Sequence, residues 1–166
     1  LNYIIQNLVE LDSLADVIIV DTGAGISDSV LEFLVASGEI ILVTTSEPTS
    51  ITDSYSLLKA LSRHPRYDKD ATTIRMLANR VFREDDGQNL FDKLNAVVER
   101  YLKIPISYLG CVPQDEKLMK AVMQQTPVSI QSPGAKSALA YETIAAKLMN
   151  KDEIKQNKRG MAAFFS

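Results

Sequence analysis

Two kinds of apolar spacing alternate along this chain, and the alternation leaves few folds open to it. Short apolar runs occur unbroken at Val17-Ile18-Ile19-Val20 and at Ile40-Ile41-Leu42-Val43, and segments rich in apolar residues lie over 73–79 and over 106–112. An unbroken run suits a strand buried on both sides, whereas apolar residues every three or four positions suit a helix with one buried face. The runs are separated by helical patterns at intervals of roughly 20–35 residues, which predicts an α/β fold. The expected architecture has three layers: a mainly parallel sheet flanked by helices.

The helical segments follow from their faces and stop signals. Leu1, Ile4, Ile5, Leu8 and Leu11 share a face ahead of the first run. The turn Asp21-Thr22-Gly23-Ala24-Gly25 leads into a short helix over 27–37. Ser50 and Asp53 have the spacing of a capping box, with Ile51, Tyr55, Leu58 and Leu61 continuing the face. Asp85-Asp86-Gly87 turns the chain into a helix facing inward through Leu90, Leu94, Val97, Val98 and Tyr101. A short helix over 116–124 ends before Pro127. Ser132 and Pro133 read as N-cap and first residue of a last helix, with Tyr141, Ile144, Ala145 and Leu148 inward. Four strands are few for this architecture, so the sheet reads as part of a larger one.

Composition narrows the function. At 166 residues, 46% apolar, the chain suits one domain with a sizeable core. A net charge of −3 gives no overall pull toward nucleic acid. One cysteine, Cys111, excludes an intrachain disulfide, and one histidine, His64, excludes a histidine-rich metal site. No apolar run reaches the roughly 20 residues of a membrane span, and the start lacks the pattern of a secretory leader. A cytoplasmic domain is expected.

In an open parallel sheet, ligands sit beyond the carboxyl ends of the strands. Asp21 follows the first run directly, with glycines behind it. It suits either a water-mediated Mg²⁺ contact beside a phosphate-responsive loop, or a tight strand-to-helix turn capped by aspartate. Asn79-Arg80 closes the third run, as a flat donor and acceptor array for a base edge or as a surface turn. Val112-Pro113-Gln114-Asp115 closes the fourth, where proline either holds backbone groups toward a ligand or simply ends a strand.

Together these segments resemble a known family. Asp16-Val17-Ile18-Ile19-Val20-Asp21-Thr22-Gly23-Ala24-Gly25-Ile26-Ser27 resembles the Walker B and switch II segment of MinD/ParA-type P-loop ATPases. Its Thr-Gly-Ala-Gly is similar to the flagellar-number regulators of that superfamily (FlhG, YlxH, FleN). Val43-Thr44-Thr45-Ser46-Glu47-Pro48-Thr49-Ser50-Ile51-Thr52-Asp53-Ser54-Tyr55 resembles the next strand and helix start. Asn79-Arg80-Val81 and Val112-Pro113-Gln114-Asp115 fall where the family places its adenine-contacting segments, and the last helix also fits. The resemblance implies Mg²⁺ and ATP as cofactors. Asp21 would position the metal through water or orient the attacking water, and Gly23 and Gly25 would let switch II respond to the γ-phosphate. Asn79 and Arg80 would border adenine, with the backbone of Pro113, Gln114 and Asp115 opposite. Such catalysis rests on positioning and charge stabilisation.

The family's Gly-rich, Lys-bearing phosphate loop has no counterpart in these residues. Gly134-Ala135-Lys136-Ser137 imitates it but lacks the glycine beside the lysine and the upstream glycine. Residues 1–149 are therefore expected to be the C-terminal portion of a MinD-like ATPase domain, poorly able to bind ATP alone. Over 147–160, Lys147, Lys151, Lys155, Lys158 and Arg159 outweigh Asp152 and Glu153, and Met161-Ala162-Ala163-Phe164-Phe165 follow. Residues 150–166 are thus either a membrane-targeting segment for an anionic surface or a frayed helix end. The resemblance implies a homodimer attached peripherally to the inner face of the cell membrane. It implies partners of the FlhF GTPase type, flagellar switch components and, in some bacteria, a flagellar transcription regulator. No direct nucleic-acid contact is expected.

Two other classes compete. Asp21-Thr22-Gly23-Ala24 is also the aspartic-protease tetrad, but that mechanism needs two aspartates sharing a proton and this sequence holds one copy. The other is a non-catalytic docking module with an ATPase-like fold that binds flagellar assembly partners.

Overall fold

The computed structural model describes residues 14–149. The elements run α1 (Asp28–Ala36), β1 (Glu39–Thr44), α2 (Pro48–Ser62), β2 (Thr73–Val81), α3 (Glu84–Tyr101), β3 (Ser107–Pro113), α4 (Glu116–Met123), α5 (Val128–Gln131) and α6 (Lys136–Leu148). The strands lie in the order β1-β2-β3, all parallel. Parallel neighbours need a long crossover, and α2 and α3 supply the two.

Alternate residues of each strand face opposite ways, and each face finds its own cover. On one side Ile40, Leu42, Ile74 and Met76 pack with Leu34 of α1, Leu58 and Leu61 of α2, and Leu94 and Val98 of α3. On the other, Leu77, Leu109 and Val112 pack against Ile144 of α6. A smaller cluster of Ala121, Val128, Ala135 and Ala138 joins α4, α5 and the start of α6. The three-layer α/β expectation therefore holds. Thr44, fully buried, pairs its hydroxyl with that of Ser54 at 2.7 Å, so β1 and α2 are also joined by a satisfied polar contact.

Gly87 sits inside α3, where glycine normally weakens a helix. A Cβ there would lie 2.4 Å from the Tyr108 hydroxyl and 2.9 Å from Cys111 Cβ. Its absence lets α3 settle onto β3. Cys111 is half-buried at this contact.

Several boundaries differ from the sequence reading, each for a physical reason. Residues 17–20 form no strand: Val17 is 50% exposed and Ile19 85%. An apolar run becomes a strand only by pairing, and no described strand pairs with it. The same vacancy shows on β1, whose Ile41 and Val43 are exposed on the face that α6 covers over β2 and β3. Helix α2 starts at Pro48, and Ser50 Oγ accepts from the Thr45 amide at 3.0 Å, so the Ser50/Asp53 box does not form. Asp85, Asp86 and Gly87 are inside α3, because the Asp86 carboxylate accepts from the Arg83 amide at 3.0 Å and starts the helix earlier. Helix α6 begins after Ala135, the Ser132 carbonyl closing a turn onto the Ala135 amide at 2.9 Å. Ser137, Ala138 and Ile144 are its buried residues, and Tyr141 and Ala145 are exposed. The helical face over 1–11 and the tail over 150–166 lie outside the described residues.

The close approach at Gly87 sets a first expectation. Gly87→Ala should destabilise the fold by about 1–3 kcal/mol through overpacking, despite alanine's better helix propensity. Chemical denaturation of the two proteins checks it, and an unchanged midpoint would refute the tight contact.

Candidate functional site

The carboxyl ends of the three strands meet at one edge, and a bulge shapes the centre of it. Between Asn79 and Val81 the β2–β3 register slips, pairing Asn79 with Val112 and Val81 with Pro113. Arg80 is the extra residue, with a positive φ of 57°. This conformation is costly for a residue bearing a Cβ and turns the side chain out of the ladder. The Asn79 side-chain oxygen accepts from the Arg80 amide at 3.0 Å, and the Val81 carbonyl accepts from the Gln114 amide at 2.8 Å.

The Arg80 guanidinium reaches neighbours from both flanks. Its Nε donates to Gln114 Oε1 at 3.2 Å, and Nη1 donates to Glu47 Oε1 at 3.3 Å. Glu47 precedes Pro48 at the start of α2, so residues from all three strand ends converge on one cation. The Thr45 hydroxyl is buried at the same edge with no hydrogen-bond partner among the described residues.

Asp115 does different work from its neighbours. One carboxylate oxygen accepts from the Lys117 amide at 2.8 Å, capping α4. The other accepts from the Ser137 amide at 3.0 Å and the Ser137 hydroxyl at 2.9 Å, capping α6 from 22 residues away. Two helix N-termini share one negative charge. The Ser137 amide, first, holds the Asp115 carboxyl below the usual carboxylate range; desolvation opposes it, and the Lys117 amide, the Ser137 hydroxyl and the Lys117 charge add to the lowering. Gly134-Ala135-Lys136-Ser137 consequently offers no anion site, because Asp115 already occupies that helix start.

The structure thus brings Asn79, Arg80, Pro113, Gln114 and Asp115 to one edge. Asp21, Gly23 and Gly25 lie on the exposed segment ahead of α1, and among the described residues no hydrogen bond or ion pair joins Asp21 to the Arg80 group. Nothing stands within 4 Å of a Cβ built on Gly23 or Gly25, and Gly25 has a φ of +112°, so this loop is unpacked and glycine-dependent. A groove of about 250 Å³ opens over Val81, between Ser46 and Ile51, the exposed Phe82, and Asn89 and Lys93 of α3, and Arg80 does not line it. No cluster of three metal-ligating side chains occurs among the described residues.

Comparison with known proteins decides the kinship. The chain is 41% identical over 162 residues to the antiactivator FleN of Pseudomonas aeruginosa, covering 98% of this chain and 56% of that protein. It is 29% identical over 154 residues to the flagellum site-determining protein YlxH of Helicobacter pylori, covering 90% and 50%. By sequence the chain is similar to FleN-, YlxH- and MinD-type proteins along nearly its whole length. A solved structure of the septum site-determining protein MinD from Pyrococcus horikoshii, complexed with Mg-ADP, superposes with a TM-score of 0.66 at 21% identity. It covers 91% of this chain and 57% of that one, and confirms the fold. No family model matches. The chain spans about half the length of the curated relatives it matches.

Two contributors at the edge escaped the sequence reading. Glu47 carries no local signal of its role, since its partner is 33 residues away. Ser137 drew attention only through its place beside Lys136, yet it is fully buried.

The shared cap has a pH signature. The Asp115 carboxyl titrates lower in the folded chain than the ~3.9 of a free aspartate. Its contribution is full above the unfolded value and is lost as pH falls through the folded one. Asp115→Ala should cost about 1–2 kcal/mol at neutral pH by removing the caps, and the deficit relative to the parent should shrink on acidification. Urea unfolding of both proteins across the acid range reads this; a pH-independent deficit would contradict the assignment.

Proposed function

We propose that this chain is the base-recognising and switch-bearing portion of a MinD-like ATPase that governs flagellar number and placement. The observation that carries the reading is the convergence of Asn79, Arg80 and Gln114 at one strand edge, with Asp115 locking the turn behind them, in a chain related to FleN and YlxH. An arginine plane and side-chain amides suit the edge and face of a purine.

The residues present fit part of Mg-ATP. The exposed Asp21 carboxylate, in open surroundings, suits a Mg²⁺ held through water with few protein ligands. In the bound state Mg²⁺ would neutralise phosphate charge. Asp21 would orient its water shell, and the unpacked Gly23 and Gly25 would let the loop change shape. Phosphate-binding backbone donors are not among the segments described. In the family reading, nucleotide binding drives dimerisation with a second copy and attachment of residues 150–166 to an anionic membrane face, and hydrolysis resets the monomer. No helix among the described residues is long and apolar enough to cross a membrane, and a peripheral location fits that. An FlhF-type GTPase, flagellar switch components and a flagellar transcription regulator are the proposed partners.

A titration with a fluorescent ATP analogue and Mg²⁺ tests the reading, on this chain and on one extended through the upstream coding sequence. Binding by the extended protein, weakened by about tenfold or more in Arg80→Gly, is expected; this substitution removes the guanidinium and suits the positive φ. Failure of both proteins to bind would instead favour a docking module with an ATPase-like fold. In the extended protein Asp21→Ala should abolish hydrolysis while leaving circular dichroism unchanged, and undiminished turnover would reject Asp21. Deleting residues 161–166 should release the protein from anionic liposomes; equal cosedimentation would assign the tail no membrane role.

A further inference from the structure

We infer that Glu47 is a positioning residue for nucleotide recognition, acting through Arg80 and touching no ligand itself; the inference rests on the nucleotide reading above. Arginine is long and carries many rotamers, so a useful guanidinium must be held in one plane. Here two acceptors hold it, and they come from different junctions of the sheet. Gln114, just after β3, takes Nε at 3.2 Å, and Glu47, at the start of α2, takes Nη1 at 3.3 Å. Both acceptors lie at the rim of the guanidinium, leaving Nη2 without a hydrogen-bond partner among the described residues and neither face of the plane used by these bonds.

The turn that carries Glu47 is itself constrained. Pro48 opens α2, and the Thr45 amide donates to Ser50 Oγ at 3.0 Å, so the backbone around Glu47 is tied at both sides. Arg80 is equally constrained at its own backbone, in the bulge sealed by Asn79. Two fixed anchors joined by a charge-assisted bond define a direction for the plane between them. Stability does not explain the pair: both side chains are more than half exposed, at 57% and 59%, and exposed ion pairs add little to folding. The role left for such a pair is orientation, which lowers the entropy lost when a ligand engages the arginine.

A double-mutant cycle in the full natural protein that contains this chain tests the inference, read by titration with a fluorescent ATP analogue. Glu47→Ala should weaken binding about threefold to tenfold, in the lower part of the range for two side chains coupled through one contact. Glu47→Gln, which keeps the acceptor oxygen, should recover most of the loss. Combined with Arg80→Gly, Glu47→Ala should change nothing further. Thermal unfolding midpoints should stay the same throughout the Glu47 series. Parent-like affinity in Glu47→Ala, or an equal loss in the Arg80→Gly background, would overturn the positioning role while leaving nucleotide binding intact. A parent protein that binds no nucleotide would instead overturn the reading on which the inference stands, and the inference with it.

Discussion

The Asp115 carboxylate is the contact on which the carboxyl edge of the sheet depends. It accepts from the first turns of both α4 and α6, and thereby fixes where β3 ends. Helix starts carry unpaired amides and the positive end of the helix dipole, and each of these needs an acceptor. One side chain meets both needs. The turn bearing Pro113 and Gln114 is then held from behind, and Gln114 in turn meets the Arg80 side chain. Removing the carboxylate would loosen two helices and the floor of the candidate site together.

Irregularity in the ladder does the rest. A second register slip lies between Met76 and Leu77 on β2, where Leu77 pairs with Gly110 and Leu109 is left over. The Leu109 carbonyl, displaced from regular pairing, accepts from Lys147 Nζ at 2.9 Å. This bond brings the last turn of α6 onto β3. Both slips re-aim backbone groups at places where regular pairing would have consumed them, one toward the candidate site and one toward a covering helix.

How much of this was legible in the sequence depended on how local the cause was. The segments at 40–43, 73–79 and 106–112 announced β1, β2 and β3, because a strand with apolar residues on both faces leaves an apolar-rich record. The run at 17–20 carries the same record, yet it is no strand here: the pattern states a demand for neighbours and cannot state whether they are met. Helix starts were misplaced wherever the satisfying group was remote or unusual, as with Asp115 for α6 and Asp86 for α3. The site divided along the same line. Asn79 with Arg80 and Pro113 through Asp115 were visible as unusual strand ends, and the structure sets them side by side. Glu47 was not, because an ion pair between separate crossovers leaves no mark on local spacing.

Helix α6 is pinned twice to one strand, at Ser137 by Asp115 and at Lys147 by the Leu109 carbonyl. It therefore behaves as a strut that moves with β3 or not at all. Its 13 residues span about 20 Å at helical rise, running back from the carboxyl edge. Met149 thus lies at the end of α6 away from Asp115. A shift of β3 at one end of α6 would therefore carry the far end of the helix with it.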